Sequence, residues 1–458
     1  MIVMKFGGSS VESAAAIRRV ASIVEARKSR KPVVVVSAMG KTTNKLLAIA
    51  DVASRGERED ALGLLKELKE FHVMEAAALT DKGRLRPEME ATVGALFEEL
   101  EELVKGIAVL GELTPRAKDA VASYGERLSS VIVSYGFEEF GLPSSHLDSR
   151  DVIVTDDRFT NAAPLLHQSY AKLLATIPEK LERGVLVMGG FIGATEDGVT
   201  STLGRGGSDF TASIVGAGIG AQEIQIWTDV DGMLTVDPTV MPGGHRVRTI
   251  SFAEAAELAY FGAKVLHPST VMPAVDKNIP VLILNSRNPD VDGTRITGEA
   301  VHSANIAKSI ACKKNVTLLN VVSTRMVGAH GFLRRIFEVF DRYETSVDML
   351  ATSEVSVSLT IDNTSRLREI TRELRQFAEV TAEEDQAIVC IVGDNIRHTP
   401  GVASHVFRAL EDVNIRMISQ GASLLNIGVV VAMVDLRTAV ERLHAEFFTE
   451  LDSEVFAA

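Results

Sequence analysis

The sequence predicts an α/β domain with a largely parallel central sheet, followed by two ferredoxin-like modules of βαββαβ order. Two observations support this: apolar strand runs alternate with helical patterns over the first 300 residues, and the remaining chain contains an internal repeat. At roughly 100–200 residues per domain, a chain of 458 residues allows two to four domains. We expect a first domain over 1–298, one module over 314–384, and a second module built from 304–313 plus 385–453.

Short apolar runs predict the strands of the first domain. They begin at Val33, Val185, Ile224 and Val281, and all are wholly apolar except the third, which contains one glutamine. Strands covered by helices on both faces have this composition, which is typical of parallel sheets. Residues 57–110 differ, because Leu, Glu, Ala and Lys dominate and glycine is sparse. We therefore expect a helical insertion there.

The chain beyond residue 300 repeats itself at an offset of 70 residues. Identical residues recur at this offset in the pairs Gly331 and Gly401, Phe337 and Phe407, and Ser353 and Ser423. Each copy contains a strand, a glycine-containing loop, a helix (336–343 and 406–413) and a second strand. Two related modules explain this pattern, and the alternative is a coincidence between two amphipathic helices.

Composition and charge argue against several classes of protein. The formal net charge of −13 argues against general binding to nucleic-acid phosphates, and no run approaches the ~20 apolar residues of a membrane helix. The first residues lack the basic segment of a signal peptide. The two cysteines, Cys312 and Cys390, fit a reducing compartment. We expect a cytoplasmic enzyme or sensor with no nucleic-acid or membrane partner.

Two glycine-rich turns indicate phosphate chemistry. Residues 5–10 (KFGGSS) follow an apolar strand and precede a helical pattern over 11–24, although Gly-Gly at a turn is usually structural. Residues 204–209 (GRGGSD) retain an Arg, a Ser and an Asp in a turn otherwise stripped of side chains. The sequence at Gly40 lacks the earlier glycine of a P-loop, and the sequence at Gly216 follows a helix, in the reverse order to a dinucleotide-binding turn. Glycine loops with a Lys, an Arg and carboxylates suit phosphoryl transfer.

Six motifs together resemble the aspartokinase family. They are residues 5–11 (KFGGSSV), 123–126 (SYGE), 189–193 (GGFIG), 202–209 (TLGRGGSD), 227–232 (WTDVDG) and 261–268 (FGAKVLHP). The repeat resembles the paired ACT regulatory domains of that family, and residues 346–357 are similar to its lysine-sensitive, monofunctional branch. The resemblance covers essentially the whole chain and implies an amino-acid-kinase domain followed by two ACT domains.

The resemblance implies that MgATP phosphorylates the β-carboxylate of L-aspartate, giving 4-phospho-L-aspartate. This is the first step toward lysine, threonine and methionine, and Mg²⁺ is expected to arrive with ATP rather than in a protein-built metal site. The resemblance implies that the catalytic residues are Lys5 and Asp209, and that the residues that bind aspartate are Ser37, Thr43, Glu126, Arg205 and Ser208. The ATP-binding residues are Lys5, Gly7, Gly8, Thr228, Asp229, Leu234 and Lys264.

Within this scheme each side chain has a physical task. The attacking carboxylate is already ionised at neutral pH, so the obstacle is its repulsion from the triphosphate. Lys5 would neutralise charge on the transferred group while Asp209 orients Lys5, and Arg205 and Glu126 would pair with the α-carboxylate and the ammonium of the substrate. Ser37, Thr43 and Ser208 would hydrogen-bond the reacting carboxylate. The alternatives are a solvated surface carboxylate at Glu126, a turn cap at Thr228 and Asp229, and a surface cation at Lys264.

The sequence departs from the family pattern in the segment that would cover the nucleotide. Leu234 stands where the family commonly has an aromatic residue, and Thr239 stands where it has an arginine. Arg246 or Arg248 could supply the missing cation.

The resemblance also implies an effector site in the first ACT module. Its residues are Met326, Gly331, Phe332, Leu333, Val347, Asp348, Ser353 and Glu354. We expect L-lysine to be the inhibitor, with threonine as the alternative because Gly328 and Ala329 replace more polar residues. Asp348 would meet the effector ammonium, or else merely cap a turn. ACT domains pair edge to edge, so we expect a homodimer or a dimer of dimers.

Two other functions remain open from the sequence. One is a related kinase acting on glutamate or acetylglutamate, against which Arg205, Glu126 and the repeat argue. The other is a catalytically silent amino-acid sensor built on the ACT modules, which would require damaged chemistry although Lys5, Arg205, Ser208 and Asp209 are all present.

Overall fold

The structure is a computed structural model that describes residues 1–80, 83–262, 268–299, 301–323 and 330–457. The chain forms two compact units. The first comprises Met1–Gly232 and Leu266–Gly298, and the second comprises Met233–Val265 and Glu299–Ala458. Segment 233–265, which the sequence placed in the first domain, thus belongs to the second unit. The domain boundaries themselves stay a prediction.

The described chain contains the following elements. The strands are β1 (Ile2–Phe6), β2 (Pro32–Val36), β3 (Ser144–Leu147), β4 (Val154–Thr155), β5 (Val185–Gly189), β6 (Ile192–Thr195), β7 (Thr200–Thr202), β8 (Ile224–Thr228), β9 (Arg246–Val247), β10 (Thr249–Ser251), β11 (Val281–Asn285), β12 (Thr294–Thr297), β13 (Ser309–Val322), β14 (Leu350–Thr352), β15 (Ser356–Ile361), β16 (Glu379–Val392), β17 (Met417–Gln420), β18 (Asn426–Ala432) and β19 (Phe456–Ala457). The α-helices are α1 (Ala14–Glu25), α2 (Thr42–Ser54), α3 (Arg58–Leu79), α4 (Arg86–Leu110), α5 (Pro115–Glu139), α6 (Leu166–Lys180), α7 (Gly207–Ile219), α8 (Phe252–Tyr260), α9 (Met272–Asp276), α10 (Phe332–Arg342), α11 (Leu367–Leu374), α12 (Val402–Ala409) and α13 (Leu436–Phe447).

Seven strands of the first unit form its main sheet, in the order β12-β11-β8-β1-β2-β5-β3. All neighbours run parallel except β12, which is antiparallel to β11. The four apolar runs predicted from the sequence are β2, β5, β8 and β11, so that prediction is confirmed. Phe6 at the end of β1 is in register with Val36 of β2 and Trp227 of β8. The loops that leave these strands therefore emerge together at one edge of the sheet.

The helical insertion predicted for 57–110 is confirmed as α3 and α4. Leu68 on α3 and Phe97 and Val104 on α4 are buried in the same apolar core as Leu46 of α2 and Leu128 of α5. The insertion therefore covers the helices that flank the sheet. No helix among the described residues has the length and apolar character needed to cross a membrane.

The second unit has an antiparallel sheet in the order β14-β15-β13-β16-β18-β17. Its two central strands, β13 and β16, pair from Ser309 opposite Val392 to Val322 opposite Glu379. β15 bonds only to residues 317–322 of β13, and β18 bonds to residues 386–392 of β16. The half of the sheet that contains β14 and β15 and the half that contains β17 and β18 are therefore joined by the pairing of β13 with β16.

The helix starts in this unit reflect the sequence repeat. Gly331 precedes α10 and Gly401 precedes α12, and their φ angles are 79° and 88°. Glycine adopts these left-handed values without the strain that a Cβ atom would bring. The aligned glycines thus perform the same task, turning the chain into a helix at equivalent points of the two modules.

Candidate active site

A cavity of about 300 Å³ opens in the first unit, at the edge of the sheet where β1 and β2 end. It gathers seven residues predicted from the sequence, which are Lys5, Gly8, Ser37, Thr43, Glu126, Ser208 and Asp209. It also includes residues that were not predicted as site residues, which are Ala38, Gly40, Phe191, Gly204, Gly206 and Gly207. Phe191, Gly204, Gly206 and Gly207 lie inside two of the motifs, which could have indicated them, whereas Ala38 and Gly40 lie outside all six motifs.

A lysine–aspartate ion pair lies within the cavity. Lys5 Nζ is 2.6 Å from Asp209 Oδ1, and the two side chains are 11% and 16% exposed. Lys5 lies on the central strand β1, and Asp209 lies in the first turn of α7. A carboxylate is favoured at that end of a helix by the helix dipole. The ammonium is therefore held in one place, with few rotamers open to it.

Glu126 is a buried carboxylate and not the solvated surface residue considered as an alternative. It lies on α5 with 3% exposure, and its Oε1 accepts a hydrogen bond from the Ala38 N–H at 3.1 Å. Its Oε2 is buried and has no hydrogen-bond partner among the described residues. Burial raises the pKa of Glu126 to about 8. A cationic ligand group at Oε2 would both satisfy this oxygen and favour its ionised form.

The loop before α7 presents Arg205 beside the cavity. Gly204 and Gly206 flank it with φ angles of 73° and 71°, and both line the cavity. The Arg205 side chain is exposed and has no ion-pair partner in the described part of the chain. Its guanidinium is available for an external carboxylate.

Three hydroxyl residues complete the predicted aspartate-binding set. Ser37 follows β2, where its N–H donates to Phe6 O at 3.0 Å, and Thr43 lies in the first turn of α2. Ser208 lies in the first turn of α7 and is 8% exposed. Three separate elements thus direct these residues to the same cavity.

The predicted ATP-binding residues are more dispersed. The Gly7 N–H donates to Trp227 O at 3.1 Å, so this amide is already used in a hydrogen bond between the ends of β1 and β8. Thr228 ends β8, and its carbonyl accepts hydrogen bonds from the N–H and the hydroxyl of Ser286 at 2.8 and 3.1 Å. The Thr228 hydroxyl donates to the exposed Asp229 at 3.3 Å, so the turn-cap alternative stays open.

Two further nucleotide-binding predictions fall elsewhere. Leu234 lies in the second unit, where its carbonyl accepts a hydrogen bond from the Ser309 hydroxyl at 2.7 Å. Lys264 lies outside the described residues. At Thr239, where the family arginine is missing, Lys314 Nζ donates to the threonine hydroxyl at 2.9 Å. A cation other than the arginines at 246 and 248 therefore lies at this position.

The predicted effector residues lie in the second unit. Gly331, Phe332 and Leu333 form the start of α10, and Phe332 packs in one apolar cluster with Val347. Ser353 bonds Ser356 through their hydroxyls at 2.7 Å, and Glu354 is exposed. Met326 lies outside the described residues.

Asp348 is the buried acid of this group. Its side chain is 2% exposed, and Oδ1 is 2.6 Å from Lys313 Nζ, which also lies 2.8 Å from Asp362. Its Oδ2 is buried and accepts no hydrogen bond from the described residues. Burial raises the pKa of Asp348. Asp348 is therefore already paired with one lysine of the chain and retains one unused acceptor.

Comparisons with known proteins agree over almost the full length. The family model described as the amino acid kinase family matches residues 1–285, and the ACT domain model matches residues 389–447. The chain is 39% identical to Aspartokinase 1, chloroplastic, of Arabidopsis thaliana, covering 98% of this chain and 80% of the relative. It is 36% identical to Lysine-sensitive aspartokinase 3 of Escherichia coli (strain K12), covering 98% and 99%.

Two solved structures of E. coli aspartokinase III are also similar. The complex with lysine and aspartate, in the T-state, has a TM-score of 0.83 at 34% identity and covers 98% of this chain and 99% of the other. The complex with aspartate and ADP, in the R-state, has a TM-score of 0.83 at 35% identity and covers 98% and 100%.

Proposed function

Because the chain belongs to the aspartokinase family, we propose that its cavity catalyses transfer of the γ-phosphoryl group of MgATP to the β-carboxylate of L-aspartate. The product is 4-phospho-L-aspartate, and Mg²⁺ enters as the complex with ATP. The observation that carries this assignment is the presence in one cavity of the Lys5–Asp209 pair and the buried, half-satisfied Glu126.

Charge neutralisation is the main task of the site. An aspartate side chain is ionised at neutral pH and needs no general base, but it must approach an anionic triphosphate. Lys5 places its ammonium on the transferred group, and the ion pair with Asp209 fixes that ammonium before the substrates arrive. The first turn of α7 adds the partial positive charge of a helix N-terminus.

Three kinds of contact orient the amino acid. Its ammonium donates to Glu126 Oε2, the buried oxygen that has no other partner among the described residues. Its α-carboxylate pairs with the exposed Arg205 guanidinium. Its reacting carboxylate accepts hydrogen bonds from Ser37, Thr43 and Ser208, which line the same cavity.

Feedback control belongs to the second unit in this proposal. L-lysine binds at the start of α10 and beside Asp348, whose Oδ2 has no hydrogen-bond partner among the described residues and accepts the effector ammonium. The similarity to the E. coli relative named lysine-sensitive favours lysine over threonine. We further propose that the working unit is at least a cytoplasmic homodimer, with the ACT modules pairing between chains.

A hydroxylamine trap tests the reaction. Acyl phosphate is captured as a hydroxamate in parallel reactions with L-aspartate, L-glutamate and N-acetyl-L-glutamate. We expect product with aspartate alone. Product with either of the others would indicate a sibling kinase, and no product with any of them would favour an amino-acid sensor.

Two variants test the roles inside the cavity. Lys5→Ala is expected to lower kcat by about 10³-fold or more while aspartate binding persists, because its charge acts on the phosphoryl group.

Arg205→Ala is expected to raise the aspartate KM by about tenfold or more, because the substrate carboxylate loses its cation. Lys28→Ala removes an exposed surface lysine and is the control for loss of charge alone. An unchanged aspartate KM in Arg205→Ala would contradict the assigned clamp.

A further inference from the structure

Asp119 is a buried carboxylate near the active site that no motif singled out. It lies on α5 with 1% exposure, seven residues before Glu126. Seven residues make nearly two helical turns, so both acids lie on the same face of α5, roughly 10 Å apart along its axis. Asp119 does not line the cavity, so contact with substrate is not its task.

Asp119 uses both oxygens to hold two distant chain segments. Its Oδ2 accepts hydrogen bonds from the N–H groups of Thr160 and Thr202, each at 2.9 Å. Its Oδ1 accepts a hydrogen bond from the Thr202 hydroxyl at 2.7 Å. Asp119 forms no ion pair among the described residues, and burial raises its pKa. Burying a carboxylate without an ion-pair partner costs free energy. The three hydrogen bonds offset part of this cost, and they fix Thr160 and Thr202 to α5.

The two anchored segments meet at the base of the loop that carries Arg205. Thr160 has a φ angle of 72°, which is unusual for a β-branched residue. The next residue, Asn161, packs against Gly204. A Cβ atom on Gly204 would lie 2.5 Å from Asn161 Oδ1 and 3.3 Å from Thr160 O. The Ala162 N–H donates to Thr202 O at 2.9 Å, which ties the segments to each other. Gly204, two residues after Thr202, thus packs against the segment of Thr160 and Asn161, and Asp119 joins the two segments.

We infer that Asp119 is a positioning residue for L-aspartate, which fixes Thr160 and Thr202 around Gly204 and so sets the direction in which Arg205 leaves the loop. Arg205 stands between two glycines and has no ion-pair partner of its own in the described chain. Its placement therefore depends on how firmly the loop base is held. This inference rests on the proposed role of Arg205 as the carboxylate clamp.

Asparagine at position 119 separates hydrogen bonding from charge. Its amide oxygen can accept both backbone N–H groups, and its NH₂ group faces the Thr202 hydroxyl, which can rotate and accept. Asp119→Asn therefore keeps the three anchoring bonds, whereas Asp119→Ala loses all of them. Glu138→Ala is the matched control, because Glu138 also lies on α5 and accepts a backbone N–H, that of Ser144. Neither Glu138 nor Ser144 lines the cavity.

The experiment compares steady-state kinetics of these variants. We expect Asp119→Ala to raise the aspartate KM by about tenfold or more, with the ATP KM within about twofold of wild type. Asp119→Asn is expected to remain within about threefold for both substrates, and Glu138→Ala to match wild type. Thr202→Val removes one anchoring bond and provides a milder variant if Asp119→Ala fails to fold. It should raise the aspartate KM by about threefold.

A double variant tests whether Asp119 acts through Arg205. In the Arg205→Ala background, adding Asp119→Ala should not raise the aspartate KM further, because the positioned group is gone. An undiminished further rise, or an equal rise in the KM of both substrates, would overturn the inference. So would an unchanged aspartate KM in both Asp119→Ala and Thr202→Val. If Arg205→Ala alone leaves the aspartate KM unchanged, the clamp of the proposed function fails together with this inference. If only Arg205→Ala raises it, the clamp stands and this inference fails.

Discussion

Glu126 and Asp348 each bury one carboxylate oxygen that no described residue hydrogen-bonds. An unsatisfied buried polar group costs about 1–3 kcal/mol, and more when it is charged. In the proposed function each oxygen receives the ammonium of an amino acid, the substrate at Glu126 and the effector at Asp348. The protein therefore presents two incomplete acidic sites that suit the same functional group.

The raised pKa of Glu126 predicts a pH dependence of aspartate binding. Because burial raises this pKa to about 8, the carboxyl is neutral in the free protein below that pH. Only the ionised form can pair with the substrate ammonium, so kcat/KM for aspartate should rise about tenfold per pH unit below about pH 8 and then level off. The measurement is a pH profile of kcat/KM for aspartate from pH 6 to about 9.

Glu126→Gln is the control for this profile. The variant should have a raised aspartate KM, and its kcat/KM for aspartate should no longer rise with pH below about pH 8. It should also lose a pH dependence of the free energy of unfolding. The folded wild type binds one proton more than the unfolded chain between the ordinary pKa of 4.5 and about 8, so its free energy of unfolding should fall as pH rises through that window. The same ascending limb in Glu126→Gln would assign it to another group.

At the level of elements, the active site depends on close contact between the end of β5 and the start of α7. A Cβ atom on Gly190 would lie 2.6 Å from Ser208 Cβ and 2.7 Å from its Cα. Real side chains do not approach so closely, so any residue other than glycine must push α7 away. Ser208 and Asp209 would move with the helix.

Gly190→Ala should therefore reduce both activity and stability. We expect kcat/KM to fall by about tenfold or more, because the Lys5–Asp209 pair is disturbed, and overpacking to cost about 1–3 kcal/mol. Steady-state kinetics and denaturant unfolding measure the two effects. Gly94→Ala is the matched control, since Gly94 lies inside α4 and an added Cβ would have no atom within 4 Å apart from the backbone of its own helix. It should gain up to about 1 kcal/mol with unchanged kinetics.

Sequence patterns predicted the existence of elements better than their ends. α1 starts at Ala14 and not near residue 11, because the Ser13 side chain accepts the Ala16 N–H and caps the helix there. α10 starts at Phe332, four residues before the predicted 336, because Gly331 supplies the left-handed turn that begins it. Caps depend on single residues and local dihedral angles, to which an apolar period is insensitive.

The site was predicted where a motif marked it and missed where the contribution was geometric. Lys5, Glu126 and Asp209 stand in motifs that resemble a known family. Asp119 stands in none, and its partners lie 41 and 83 residues away in sequence. Ala38 contributes a backbone N–H, which no side-chain pattern encodes.

For the molecule as a whole, the proposed lysine inhibition depends on the acid pair around Lys313. Asp348 and Asp362 both contact this lysine, but the Asp348 side chain is 2% exposed and the Asp362 side chain is 45% exposed. The effector must bind the less active state more tightly, and tenfold discrimination takes about 1.4 kcal/mol. The buried acid is therefore the one that can contribute that difference, since exposed ion pairs contribute little.

Asp348→Ala should raise the lysine concentration for half-inhibition by about tenfold or more, because the effector ammonium loses a charge-assisted hydrogen bond. Asp362→Ala, which removes only the exposed partner of Lys313, should shift it by about threefold or less. Inhibition curves with lysine and with threonine, measured on each variant, provide the test. Unchanged lysine inhibition in Asp348→Ala would refute the site, and inhibition by threonine alone would refute the effector.

The long strands β13 and β16 have a consequence for folding cooperativity. Residues 317–322 of β13 hold β15, while residues 386–392 of β16 hold β18, and the two long strands pair with each other on both sides of an irregularity at residues 313–318 of β13. Because both long strands run through both stretches of this ladder, we expect the two halves of the sheet to unfold in one transition. A ligand on one half would then slow amide hydrogen exchange in the other, even where it makes no contact.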